Sequence, residues 1–128
     1  GTMLQQSGLT VKDFGGPELE GCNEILNITR PDIVRGIHDS YLEAGADIIE
    51  TNSFGATRVV LGEYNLEDKD IELNKAAARL ARDAADKWFS KEKPRFVAGS
   101  MGPTTTDRRL GSWKAGWIYF WWKLARIP

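Results

Sequence analysis

Three side chains with chemistry to offer stand in one row: Glu50, Thr51 and Asn52, within GADIIETNSF at 45–54. They follow directly on the apolar pair Ile48–Ile49. A carboxylate at a strand tip can hold a substrate ammonium, and an adjacent hydroxyl, amide or backbone N–H can hold a carboxylate. The competing reading is local. Glu50 would then pair with a nearby arginine, while Asn52 and Ser53 would build a turn. Spacing alone leaves both open.

The remaining reactive groups are weaker candidates. SMGPTTT at 100–106 could present backbone N–H groups to an anion, but the Gly-Lys-Ser/Thr ending of a phosphate loop is absent. A Gly-Pro turn before a helix accounts for it more simply. Gly15–Gly16 carries no dinucleotide fingerprint and reads as a turn. Cys22 and His38 are the only thiol and imidazole in the chain. A zinc site takes at least three ligands of the Cys, His or carboxylate type, so no metal centre is expected from this chain alone. His38, next to Ile37, is expected on a partly exposed helix surface. Cys22 has no histidine in a partner motif that would activate it.

The elements that position these groups follow from periodicity. Residues 1–28 read as mostly loop with one short helix over 2–7. TRPD at 29–32 has a capping-box pattern, a hydroxyl three residues before an acid with Pro31 in the first turn, and starts a helix. Ile33, Ile37, Tyr41 and Ala44 recur at helical spacing as its buried stripe, and Gly45 stops it. A strand over 46–50 follows. VVLGEY near Thr57 forms a short helix broken around Asn65, and a long helix runs over about 68–91. Leu73, Ala77, Leu80, Ala81, Ala84 and Trp88 line its buried face, Lys75, Arg79, Arg82, Asp86 and Lys87 mostly the solvated one. Pro94 ends it, and RFVAG at 95–99 is a second strand.

Helix, strand, helix, strand in that order implies an α/β fold with a parallel sheet. Ligands of such folds bind at the carboxyl ends of the strands, so ETNSFGAT and SMGPTTT are expected side by side on one rim.

Composition sets the outer limits. The chain has 128 residues, 41% of them apolar, enough for one modest globular domain. With 17 basic and 18 acidic residues the net charge is −1, which gives no footprint for nucleic acid. One cysteine allows no internal disulfide, and GTMLQQSGL lacks the pattern of a signal peptide, so a cytoplasmic location is expected. WIYFWW at 117–122 is far shorter than the roughly 20 residues that span a bilayer, so no transmembrane segment is expected. From Thr106 the composition shifts abruptly, and four of the five tryptophans lie beyond that point. Residues 106–128 have three readings: a buried terminal element, a segment that docks on a membrane surface or protein partner, or the product of a shifted reading frame.

GTMLQ, EGCNEILNITRPDIVRGIHDSYLEAGADIIETNSFGATRVVLGEYNLEDK, ELNKAAARLARDAAD and PRFVAGSMGPTT together resemble the amino-terminal homocysteine-binding domains of cobalamin-dependent methionine synthases. The resemblance covers residues 1–105, and ADIIETNSFGAT and VAGSMGPT are its most specific strings. It implies a (β/α)8 TIM barrel of roughly 250 residues, of which this chain would hold the incomplete N-terminal portion, beginning after the first strand. It implies homocysteine as substrate, with folate and cobalamin domains following in the complete enzyme. In the family a zinc ion held by three cysteines late in the barrel binds the homocysteine thiol, which attacks the methyl group carried by cobalamin. A free thiol, with a pKa of about 8.5, is only slightly ionised at neutral pH, and zinc coordination deprotonates it outright.

Position by position, the resemblance places Glu50 and Thr51 where the family contacts the amino-acid part of homocysteine, with Asn52 beside them. Gly1 falls where the first strand ends in an Asp-Gly stretch that lines the substrate. Gly102 belongs to the loop after the third strand and is expected to shape the rim. Cys22 matches none of the zinc cysteines, so this chain is expected to lack zinc and cobalamin ligands. Two barrel strands cannot close a barrel, so the isolated chain is expected to be poorly soluble or partly molten, and inactive. The alternative is a non-catalytic half-barrel module whose Trp-rich tail docks on a membrane or partner.

Overall fold

A computed structural model describes residues 2–102. Gly1 and the Trp-rich residues 106–128, with the readings attached to them, lie outside the described residues. Six α-helices and two strands follow one another: α1 (Thr2–Gln5), α2 (Val11–Phe14), α3 (Leu26–Thr29), α4 (Pro31–Glu43), β1 (Ile48–Glu50), α5 (Arg58–Leu61), α6 (Asp70–Lys87) and β2 (Phe96–Ala98). Single 3-10 turns at Pro17–Leu19, Asn23–Ile25, Gly62–Tyr64 and Glu67–Lys69 link them.

The amino-terminal region is more helical than its sequence suggests. Each piece is about one turn long, so no 3.6-residue stripe has room to develop. Local hydrogen bonds hold each turn instead. The Asp13 carboxylate accepts from the Thr10 backbone N–H at 2.7 Å and from the Thr10 hydroxyl at 2.8 Å. Gly15, at φ 98°, ends α2 in the left-handed conformation that glycine adopts without strain. These turns still deliver Leu4, Phe14, Cys22, Ile25 and Leu26 to the core.

The capping box expected at TRPD does not form. Arg30 takes the Asp32 carboxylate in a two-pronged pair at 2.9 and 2.7 Å, and the Thr29 hydroxyl donates back to Ile25 O. Pro31 does open α4, as its fixed φ favours. Arg30 also pairs with Asp13, tying α2 to the start of α4. The Thr10 backbone N–H, then the Thr10 hydroxyl, then Arg30 hold the Asp13 pKa down at about 2, against 3.8 for an unperturbed aspartate. A depressed folded-state pKa stabilises the fold above the unfolded value, and that contribution is lost as pH falls from about 4 toward 2. A carboxyl carbon-13 titration of Asp13 is expected to give a midpoint near 2. A midpoint at the unperturbed value would remove this tether from the account.

On α4 the buried row is Val34, His38 and Leu42, one position along from the expected Ile33, Ile37, Tyr41 and Ala44. Ile33 and Ile37 are half-buried, while Tyr41 and Ala44 are exposed. Adjacent rows on a helix are both apolar here, and sequence spacing does not say which one meets the neighbouring helix. His38 is therefore buried rather than partly exposed. Burial lowers its pKa, so the imidazole is neutral, and its Nε2 has no partner among the described residues.

Helix α6 buries the expected Leu73, Ala77, Leu80, Ala81 and Ala84, and Ala85 as well. Trp88 sits just past its end, half-buried, with Nε1 donating to Asp39 Oδ1 at 2.7 Å, while Lys87 Nζ reaches Asp39 Oδ2 at 3.0 Å. This fastens the end of α6 to α4. The helix stops at Lys87 rather than near Lys91, because Ser90 and Lys93 close a reverse turn through Ser90 N to Lys93 O and Lys93 N to Ser90 Oγ. The side chain of Arg95 is buried and donates to Trp88 O and Ala46 O, pinning the starts of both strands.

β1 and β2 pair in parallel, with Ile48 opposite Phe96, Ile49 opposite Val97 and Glu50 opposite Ala98. Ile49 is buried with Leu42, Ala81, Ala84 and Ala85, so α4 and α6 cover one face of the sheet. The strands contribute little else: the larger core cluster is helical, built around Leu26, Val34, Leu61, Leu73 and Leu80. Ile48, Glu50 and Phe96 lie exposed on the opposite face. Asp47 O and Thr51 N bond across to β2, so the intervening peptide groups of Ile48 and Glu50 point to the other, open edge of β1. The described residues thus form a partial α/β unit with a small open sheet.

Candidate functional site

The tip of β1 opens into a cleft of about 660 Å³ whose walls include His38, Tyr41, Glu50, Thr51, Ser53 and Ser100. ETNSFGAT and the start of SMGPTTT do lie side by side. Phe54 O accepts from Gly102 N at 2.8 Å, and Ser53 Oγ donates to Ser100 O at 2.7 Å. The first loop ends where Thr57 caps α5, its hydroxyl accepting from Val60 N, and Asn74 on α6 holds Ala56 O at 2.7 Å.

Each of the polar residues at the tip has a different status. Thr51 is buried, and its Oγ1 accepts from Ser100 N at 3.0 Å and lies 2.7 Å from Ser53 Oγ. Ser100 O can only accept, so the single Ser53 proton goes there, and Thr51 must donate its own to Ser53. Three groups form a closed ring: Thr51 O–H to Ser53, Ser53 O–H to Ser100 C=O, Ser100 N–H to Thr51. In such a ring each bond polarises the next.

Asn52 is spent in structure too. Its Nδ2 donates to Asn23 O at 2.8 Å and to Asn27 Oδ1 at 3.2 Å, and Asn27 Nδ2 donates to Asn52 O at 2.8 Å. This reciprocal pair fixes the turn onto the start of α3. Glu24 completes the support by accepting from Gly55 N at 2.7 Å. Glu50 alone is exposed and makes no ion pair or side-chain hydrogen bond among the described residues. Among the described residues Glu50 has no arginine partner, whereas the turn-building role of Asn52 and Ser53 is present.

The side chains of 50–53 therefore present a carboxylate and the unused lone pairs of two hydroxyls, with every side-chain proton already committed. That surface suits a ligand with donors and no acceptor, and an ammonium has three donors and no acceptor. It gives a carboxylate no side-chain donor. Sequence reasoning missed Asn27, Glu24 and Ser100 as supports, because each lies 25 or more residues from its partner and no local pattern marks it.

Gly102 shapes the rim, as expected. A Cβ there would lie 2.8 Å from Phe54 O and 3.0 Å from its ring, closer than atoms can sit. Gly102→Ala is expected to cost about 1–3 kcal/mol in urea unfolding by forcing the two loops apart. Gly36→Ala, a helix position with nothing near its Cβ, is expected to be neutral or stabilising by up to about 1 kcal/mol. Equal effects would mean the rim contact carries nothing.

The described residues do not fit a metal. Among them no three His, Cys, Asp or Glu side chains gather. Cys22 is fully buried, and burial raises its pKa, which keeps it a thiol. Among the described residues no helix is long and apolar enough to cross a membrane.

Two parallel strands backed by amphipathic helices, with a cleft beside their carboxyl ends, have the arrangement in which α/β folds bind small molecules. The chain belongs to the homocysteine S-methyltransferase family, whose model matches residues 1–113. That span runs past the 1–105 region and into the first residues of the Trp-rich stretch. Over 111 residues, 87% of its length, the chain is 50% identical to the methionine synthase of Mycobacterium tuberculosis (strain ATCC 25618 / H37Rv). It is likewise 50% identical over 111 residues to the methionine synthase of Mycobacterium leprae (strain TN). The chain spans 9% of the length of each of these relatives.

Proposed function

We propose that residues 1–105 are the N-terminal part of a (β/α)8 barrel and form one side of a homocysteine site. The complete enzyme would transfer a methyl group from cobalamin to the homocysteine thiol, giving methionine. The observation that carries this reading is Glu50: a free carboxylate at a parallel strand tip, beside hydroxyls whose protons all point elsewhere. It matches the ammonium of an α-amino acid. Thr51 and Asn52 then serve mainly by holding that tip in place. The open edge of β1 and the exposed face of Ile48, Glu50 and Phe96 are where the rest of a barrel would pair and fill. Zinc and cobalamin belong to the complete enzyme by family resemblance. Among the described residues no side-chain cluster offers zinc a ligand set. Folate and cobalamin domains are the corresponding partners.

The test replaces the matching segment of the Mycobacterium tuberculosis relative with residues 1–113 of this chain. Methyl transfer to homocysteine within about tenfold of the parent is the expected result, since 1.4 kcal/mol of imperfect fit costs that factor. A folded chimera without turnover would sink the reading. The 128-residue chain by itself is expected to show no turnover.

A further inference from the structure

We propose that Ser53 is a specificity-determining, positioning residue that makes the β1 tip select an ammonium over an uncharged or donor group. The inference rests on the assignment of Glu50 to the substrate ammonium and goes beyond it. Thr51 lines the cleft beside Glu50, and the direction of its single proton decides whether that oxygen offers a lone pair or a donor. A free threonine hydroxyl can rotate to suit either kind of ligand. Here it cannot, because three distances close the ring: 2.7 Å to Ser53 Oγ, 2.7 Å from Ser53 Oγ to Ser100 O and 3.0 Å from Ser100 N back to Thr51.

Ser53 is the member that sets the direction. Its proton is claimed by a carbonyl, so its oxygen is available to Thr51 only as an acceptor. The ring thereby commits the Thr51 O–H to Ser53, so that toward any further partner the Thr51 oxygen has only a lone pair to offer. Asn52 reinforces the effect, since both its amide protons are bound to Asn23 and Asn27. With no side-chain donor left at 50–53, these four residues give an oxygen or a methylene placed where an ammonium should sit no hydrogen-bond partner. Sites that hydrogen-bond one group reject analogues lacking it strongly, because their buried polar atoms are left without partners.

The experiment compares kcat/KM for homocysteine and for 4-mercaptobutyrate, the same thiol acid without its amine, in the chimera carrying residues 1–113. Ser53→Ala frees the Thr51 proton and is expected to lower the homocysteine preference roughly tenfold. Ser53→Thr keeps the ring hydroxyl and is expected to hold the preference within about twofold. Thr51→Val removes that lone pair while keeping shape, and carries the same test should Ser53→Ala fail to fold. Equal loss for both thiols, with the ratio unchanged, would make the ring a purely structural latch and overturn the inference. Glu50→Gln separates the two levels: a ratio lowered by Glu50→Gln but not by Ser53→Ala or Thr51→Val overturns the role of Ser53 alone, and a ratio unmoved by any of them overturns the ammonium assignment too.

Discussion

Glu50→Gln in the chimera is expected to raise KM for homocysteine roughly 10- to 150-fold, the range for losing one hydrogen bond to a charged group. The change should fall mainly on KM, because the ammonium carries the same charge in the ground and transition states, so its contact is uniform binding. Folding should hardly change. Glu50 is exposed and has no ion pair or side-chain hydrogen bond among the described residues, so the amide leaves no group unpaired. Steady-state kinetics on the variant checks both parts. A fall in kcat at constant KM would place Glu50 in the chemical step rather than in substrate binding. A lowered melting temperature with unchanged kinetics would return it to a structural role.

Leu73→Ala is expected to destabilise the barrel of the chimera carrying residues 1–113 by about 2–5 kcal/mol, the range for a fully buried leucine that leaves a cavity. Leu73 is 0% exposed and belongs to the helical cluster with Leu26, Val34, Leu61 and Leu80. That cluster gathers the short amino-terminal turns onto α4 and α6, and those turns include the Asn23–Asn27 segment that holds Asn52. The mutation therefore reaches the site through its support. Ile71→Ala, two residues away on the same helix but 63% exposed, is expected to cost less than about 0.5 kcal/mol. Urea unfolding followed by far-ultraviolet circular dichroism distinguishes them. Comparable losses would mean that this cluster does not hold the chain together.

Both expectations depend on different levels of the sequence. The buried face of α6 was readable because eighteen residues give five turns of repeated spacing. The amino-terminal turns were not readable, since each is held by one or two local bonds such as Thr10 to Asp13. The α4 stripe was legible as amphipathic but displaced by one position, since Ile33, Ile37 and Tyr41 make as good a helical row as Val34, His38 and Leu42. His38 moved with it, from an expected surface residue to a buried neutral one.

The sequence by itself determined the order of elements, the parallel pairing and the delivery of Glu50 to a strand tip beside a second loop. Those features come from periodicity and from the geometry of helical crossovers, which act over neighbouring residues. The tertiary structure decided which polar groups at that tip remain available. Asn27 meets Asn52 across 25 residues and Ser100 meets Thr51 across 49. Such bonds consume protons that a local reading leaves free. Glu50 stays unspent because its strand position puts it on the open face of the sheet, where it makes no ion pair or side-chain hydrogen bond among the described residues.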